Sequence, residues 1–118
     1  MAASDLVLSA CGTANLEAAL LGTPLVAFYK ISPLTYAAGR PFVRIRDYSI
    51  VNILAGRRIV PELIQRRMTP DALVREALRL LDDSGARLEM KDAFARIRTE
   101  LGEKRASVNA ARELAALL

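Results

Sequence analysis

Gly12-Thr13-Ala14-Asn15-Leu16-Glu17 leads from a short apolar run straight into a helical one. A small-residue turn entering a helix aims the free N–H groups of the helix start, and the positive end of its dipole, at one point. Phosphate is a common occupant of such a point. Thr13 adds a hydroxyl beside those amides, Asn15 adds a side-chain amide, and Gly12 lets backbone approach a ligand. Glu17 follows about one turn later, within reach of sugar hydroxyls next to the phosphate. The arrangement suggests a nucleotide or sugar-nucleotide site, although an ordinary capped helix with an acid near its start has the same pattern. Neither G-x-G-x-x-G nor G-x-x-x-x-G-K-[ST] occurs, so no dinucleotide fingerprint or P-loop is indicated.

Asn52, Glu62 and Gln65 form a second group, set in the apolar, turn-rich stretch 52–65. Amides and carboxylates in such a frame suit a loop that shapes a pocket for sugar hydroxyls or phosphate. They equally suit a capping Asn and solvent-facing residues after Pro61. Between Lys30 and Arg46, Tyr29, Tyr36, Phe42 and Val43 alternate with Lys30, Arg40, Arg44 and Arg46. Basic and aromatic residues in alternation fit a membrane interface, an RNA surface, or a half-buried helix with snorkelling arginines. Cys11 reads as a small buried filler whose place at the turn could lower its pKa.

Two short strands and a helix must position the first group. Asp5–Leu8 is predicted as a buried strand and Leu25–Tyr29 as another. Thr13 is predicted to cap a helix over Ala14–Leu21 that Gly22 and Pro24 end. Strand, helix and strand at this spacing predict a parallel βαβ unit. Ser32-Pro33 starts a further helix to about Ala38. A third strand is predicted over Asp47–Val51, with brief helical turns over Asn52–Gly56 and Pro61–Gln65. From Thr69 onward the pattern is helical, with Leu73, Val74, Ala77, Leu78 and Leu81 on one face. After Ser84-Gly85 a second helix presents Met90, Phe94, Ile97 and Leu101 and ends at Gly102. Ser107 caps a third, carrying Ala111, Leu114, Ala115 and Leu118.

The totals narrow the chemistry. The 118 residues suffice for one domain, 53% are apolar, and the net charge is +4. That charge admits an anionic partner and also an ordinary soluble protein. There is no His, which excludes an imidazole base, a Ser-His-Asp triad and His metal sites within this chain. A single Cys excludes an internal disulfide and a thiol cluster for zinc. The longest apolar tract, Ala18–Phe28, is broken by Gly22, Thr23 and Pro24 and is too short to span a bilayer. No metal or cofactor is expected.

The motifs resemble those of the lipid-A-disaccharide synthase family. Ser9-Ala10-Cys11-Gly12-Thr13-Ala14-Asn15-Leu16-Glu17 is similar to its S-G-T-A-x-L-E loop. Leu25-Val26-Ala27-Phe28-Tyr29-Lys30 followed by Pro33-Leu34-Thr35 is similar to its V-V-x-Y-[KR]…P-x-T passage. Asn52-Ile53-Leu54-Ala55-Gly56-Arg57 with Val60-Pro61-Glu62-Leu63-Ile64-Gln65 is similar to its P-N-[IL]-[IL]-A-G-R…V-P-E-[LF]-[IL]-Q signature. Val51 stands where the family favours Pro, and Cys11 replaces a small residue.

The resemblance implies an α/β fold: the C-terminal part of a GT-B Rossmann-like domain, with few parallel strands in a βαβ unit, followed by three helices. Residues 1–68 would be the partial nucleotide-sugar-binding region and 69–118 a helical region packed on it. It implies a hexosyltransferase joining UDP-2,3-diacylglucosamine to 2,3-diacylglucosamine 1-phosphate, cytoplasmic and peripheral on the inner membrane of a Gram-negative-type bacterium. Gly12, Thr13 and Asn15 would line the diphosphate, Glu17 would hold the ribose, and Asn52, Glu62 and Gln65 would complete the UDP-sugar site. The expected partners are the acylated donor and acceptor and a membrane surface, with no nucleic acid and with a second copy of the chain possible. The acceptor-binding domain and its catalytic carboxylate have no counterpart here, so the isolated chain is expected to turn over little or no substrate. Two rivals remain: another GT-B enzyme, such as the glucosaminyltransferase of peptidoglycan synthesis, and a non-catalytic basic module binding anionic lipid or RNA.

Overall fold

Leu25–Tyr29 is the longest unbroken apolar strand candidate, and such a run is what a strand covered on both faces requires. In the computed structural model, which describes residues 2–39, 46–103 and 115–116, it forms β2, the middle of a three-stranded parallel sheet. β1 (Val7–Ala10) and β3 (Glu62–Ile64) flank it, with Val7 opposite Leu25 and Ala27 opposite Glu62. The α/β expectation holds: the described residues form this sheet and five α-helices, as in a partial Rossmann-like domain.

β1 lies two residues later than predicted and is half-buried rather than buried. It occupies a sheet edge, with Leu8 and Ala10 exposed. Its end follows β2, since the Cys11 N–H still donates to the Phe28 carbonyl at 2.8 Å. α1 (Thr13–Leu20) then crosses back towards β2. Gly12, not Thr13, is its N-cap, because the side chain of Asn15 reaches back to the Gly12 N–H at 3.2 Å. Beyond α1, Gly22 turns the chain at φ 71, a left-handed conformation that favours glycine.

α2 (Pro33–Gly39) starts where Ser32-Pro33 predicts, with the Thr35 N–H donating to Ser32 Oγ at 3.2 Å. Asp47–Val51 is not a strand. Its second half enters α3 (Ile50–Ala55), with Ser49 at the N-cap position but no side-chain capping bond, and ends at Gly56 with φ 65. The third strand is instead built from Glu62–Ile64, where a helical turn was predicted. Pairing decides this: the Ala27 N–H donates to the Pro61 carbonyl at 2.9 Å, and Glu62 and Leu63 are buried against β2. A single 3-10 turn (Gln65–Arg67) follows.

α4 (Pro70–Asp82) is capped by Thr69, whose hydroxyl accepts the Ala72 N–H at 3.1 Å. Its packed face differs from the predicted one. Ala72 and Leu80 are buried, Leu73 and Ala77 are half-buried, and Val74, Leu78 and Leu81 are exposed. The apolar stripe is wider than the contact α4 makes with β2 and α5. α5 (Ser84–Glu103) includes the predicted separator Ser84-Gly85, because Asp83 caps it through the Ala86 N–H at 2.9 Å. It also runs past Gly102. Met90, Phe94 and Ile97 are buried as predicted, whereas Leu101 is exposed.

One core joins these parts: Leu25, Val26, Val51 and Val60 meet Leu80, Met90, Phe94 and Ile97. Phe94 is 1% exposed, and its burial contributes on the order of 2–3 kcal/mol. The Leu25 N–H donates to Met90 Sδ at 3.5 Å, tying the middle strand to α5. α5 also packs on α1 and α3 and so braces the turn that α1 begins. Phe42–Ile45 and Arg40 lie outside the described residues, as do Ala111, Leu114 and Leu118; of the predicted last helix from Ser107 only Ala115 and Ala116 are described, helical and exposed.

Candidate functional site

Parallel strands deliver their following loops to one end of the sheet, where ligands of open α/β sheets bind. Here those loops are the Cys11-Gly12 turn, the Lys30–Ser32 connection and Gln65. Gly12 is extended (φ 171), a conformation open to any residue. A Cβ added there would meet only the Ala10 carbonyl oxygen, at 4.0 Å. Neither backbone strain nor crowding within the chain therefore explains a glycine at this position. The N–H groups of Thr13 and Ala14 have no partner among the described residues, as the first amides of a helix do not. The Thr13 and Glu17 side chains are exposed and likewise unpartnered among the described residues.

Asn15 behaves differently. It is fully buried, and its Oδ1 accepts from the Gly12 N–H at 3.2 Å and from Ser49 Oγ at 3.5 Å. Its Nδ2 is the one buried side-chain polar atom without a partner among the described residues.

Asn52 and Glu62, expected at the ligand, are fully engaged inside the protein. Asn52 Oδ1 accepts the N–H groups of Ile59 (2.8 Å) and Val60 (2.9 Å). Its Nδ2 donates to the Val60 carbonyl (3.0 Å) and to Glu62 Oε1 (2.7 Å). These four bonds exhaust a side-chain amide. Glu62 is 3% exposed and receives the Tyr48 N–H on Oε2 (3.0 Å) and the Ser49 N–H on Oε1 (2.9 Å). A strand carboxylate thus serves the amides just ahead of α3, much as the acidic partner of a capping box accepts the N–H of the N-cap residue.

Gln65 does similar work for a different loop. Its Oε1 accepts the Ile31 N–H at 2.7 Å and its Nε2 donates to the Ile31 carbonyl at 3.1 Å. This two-point clasp holds the connection from β2 to α2. It is made from a left-handed backbone, φ 52, which is unfavourable for a residue with a side chain.

Cys11 does not acquire a reactive thiol. Burial pushes its pKa up to about 11, and the negative charge of Glu62 adds to the rise. The reading of Cys11 as a partly buried filler stands, and the alternative of a lowered pKa does not, since both desolvation and Glu62 raise it. In the basic-aromatic stretch, Tyr29 stacks on Tyr48 with ring centroids 6.2 Å apart, while Lys30 and Arg46 are exposed. Arg40, Phe42, Val43 and Arg44 lie outside the described residues. A groove of about 390 Å³ opens between the 57–63 segment and α4–α5, lined in part by Arg57, Arg58, Arg67 and Glu89. No residue of the Gly12–Glu17 turn lines it.

Ser49 was not singled out from sequence, yet it is fully buried at the meeting point of the two motifs. A Ser directly before an apolar helical run is a cap signal that could have located it.

Comparison with known proteins bears on this geometry. A family model for lipid-A-disaccharide synthetase matches residues 1–117. The chain is similar to the lipid-A-disaccharide synthase of Solibacter usitatus, at 52% identity over 101 residues covering 86% of this chain and 26% of the relative. It is also similar to those of Myxococcus xanthus (43% identity; 98% of this chain, 30% of the relative) and Anaeromyxobacter dehalogenans (46%; 95% and 29%). The chain thus spans between a quarter and a third of the length of these relatives. With the family model matched along almost its whole length, the chain belongs to the lipid-A-disaccharide synthase family.

Proposed function

We propose that this chain is the donor-nucleotide part of a lipid-A-disaccharide synthase, holding the diphosphate of UDP-2,3-diacylglucosamine at the start of α1. The observation that carries the reading is Gly12, a glycine that its own backbone does not require, beside two helix-start amides with no partner among the described residues, at the C-terminal ends of the strands. Thr13 and Ala14 donate their N–H groups to phosphate oxygens, and the dipole of α1 stabilises the charge on the UDP leaving group. Glu17, exposed one turn along, accepts from the ribose hydroxyls. The edge of β1 that no described strand pairs, where Leu8 is exposed, leaves room for further strands on that side of the sheet.

Both proposed sugars carry acyl chains, so transfer would occur at a membrane surface. α2 suits that setting, since none of its residues is buried and Leu34 is 82% exposed beside the exposed Lys30. No helix among the described residues is long and apolar enough to cross a membrane. The acceptor, 2,3-diacylglucosamine 1-phosphate, and the catalytic base would belong to the remainder of the longer enzyme, and this chain alone would be inactive.

Calorimetry with UDP on the wild type, Glu17→Ala and Gly12→Val tests the assignment. Each substitution is expected to weaken binding by about tenfold, the loss of roughly one charge-assisted hydrogen bond or of close backbone approach. Equal heats from all three proteins remove the turn from the site.

A further inference from the structure

We infer that Ser49 and Glu62 are positioning residues for the diphosphate turn, acting through Asn15 as a buried hydrogen-bond relay; this rests on the nucleotide reading above. The relay is continuous. Asn52 Nδ2 and the Ser49 N–H both donate to Glu62 Oε1, Ser49 Oγ donates to Asn15 Oδ1, and Asn15 Oδ1 accepts the Gly12 N–H. Asn15, Ser49, Asn52 and Glu62 are each no more than 3% exposed, so water cannot substitute for a missing partner without entering the core.

The orphaned Nδ2 of Asn15 makes Ser49 decisive. A buried amide with an unpaired NH2 is oriented by the packing around it and by the donors on its oxygen. Those donors are the Gly12 N–H and the Ser49 hydroxyl, with no third among the described residues. Without the hydroxyl, Asn15 Oδ1 keeps a single donor among the described residues, the Gly12 N–H at 3.2 Å, and the turn that presents the Thr13 and Ala14 amides is held less firmly. The polar residues of the second motif therefore act on the nucleotide from behind the first motif. Asn52 and Glu62 fix the backbone of Ser49, and Ser49 fixes Asn15.

The test is the Gly12 amide resonance in the ¹⁵N–¹H spectrum, read in the wild type, Ser49→Ala and Glu62→Gln, with UDP titrated into each. Ser49→Ala removes a single atom and is expected to shift the Gly12 resonance, speed its hydrogen exchange and weaken UDP binding about fivefold. Resonances in α4 should not move. Glu62→Gln should move Gly12 in the same direction; should that variant fail to fold, Ser49→Ala decides alone. An unmoved Gly12 resonance in Ser49→Ala overturns the relay, and so does a moved resonance with unchanged UDP affinity. A wild type that does not bind UDP counts against the nucleotide reading, and the Gly12 resonance then reports on the coupling separately.

Discussion

The Gly12–Glu17 turn and the 48–65 segment carry similar side chains and use them in opposite ways. In the turn, two amides, a hydroxyl and a carboxylate face outward with no partner among the described residues. In the segment, Asn52 makes four hydrogen bonds, Glu62 receives three donors and Gln65 grips Ile31 at two points. Polar residues held in an apolar frame thus divide by saturation. Those that the fold leaves open can serve a ligand, and those that the fold fills serve the backbone. Buried groups must be paired, so 48–65 had to become a closed network once Val51, Val60 and Leu63 entered the core.

Substitution should separate the two regions most sharply in stability. Asn52→Ala leaves the Ile59 and Val60 N–H groups, the Val60 carbonyl and one lone pair of Glu62 without partners, and should cost about 3 kcal/mol. Thr13→Ala, on an exposed unpartnered hydroxyl, should change stability by less than about 0.5 kcal/mol. Urea denaturation of both variants measures the contrast; equal losses would erase the distinction.

Next in size is the thiol between the regions. With its pKa pushed up to about 11, Cys11 at pH 8 should be alkylated roughly a hundredfold more slowly than a thiol of ordinary pKa. The rate should climb through pH 11, and Glu62→Gln should shift that rise to lower pH. The sign for stability follows: the folded state holds this proton more tightly than the unfolded chain, so the contribution is lost as pH rises from the ordinary thiol range towards 11. Rapid labelling at pH 8 would contradict the buried placement.

Within the 48–65 segment the smaller expected loss is at Gln65. Gln65→Ala removes both bonds to Ile31 but keeps a side chain at φ 52, and should cost about 1–2 kcal/mol. Gln65→Gly relieves the backbone and should cost less, although both lose the clasp. If the alanine variant is as stable as wild type by the same denaturation, Gln65 does not hold the α2 connection.

Local chemistry wrote much of the fold plainly. Leu25–Tyr29, the Ser32-Pro33 and Thr69-Pro70 starts, and the Met90–Phe94–Ile97 stripe all formed as their residue types predict. The exchange of strand and helix between Asp47–Val51 and Glu62–Ile64 was not legible. Both are short runs with mixed propensity, and the free edge of β2 selected between them. The same limit applied to α4, whose apolar stripe of Leu73, Val74, Ala77, Leu78 and Leu81 is wider than the face that packs.

The amino-acid order alone determined the family, the βαβ opening and the exposed chemistry of Gly12, Thr13 and Glu17, because these depend on contiguous residues and backbone geometry. Only the tertiary structure decided that Asn15, Asn52, Glu62 and Gln65 turn inward. A donor or acceptor reveals its partner only when distant segments close around it. The bond from Ser49 to Asn15 spans 34 residues of chain, and no local pattern records it.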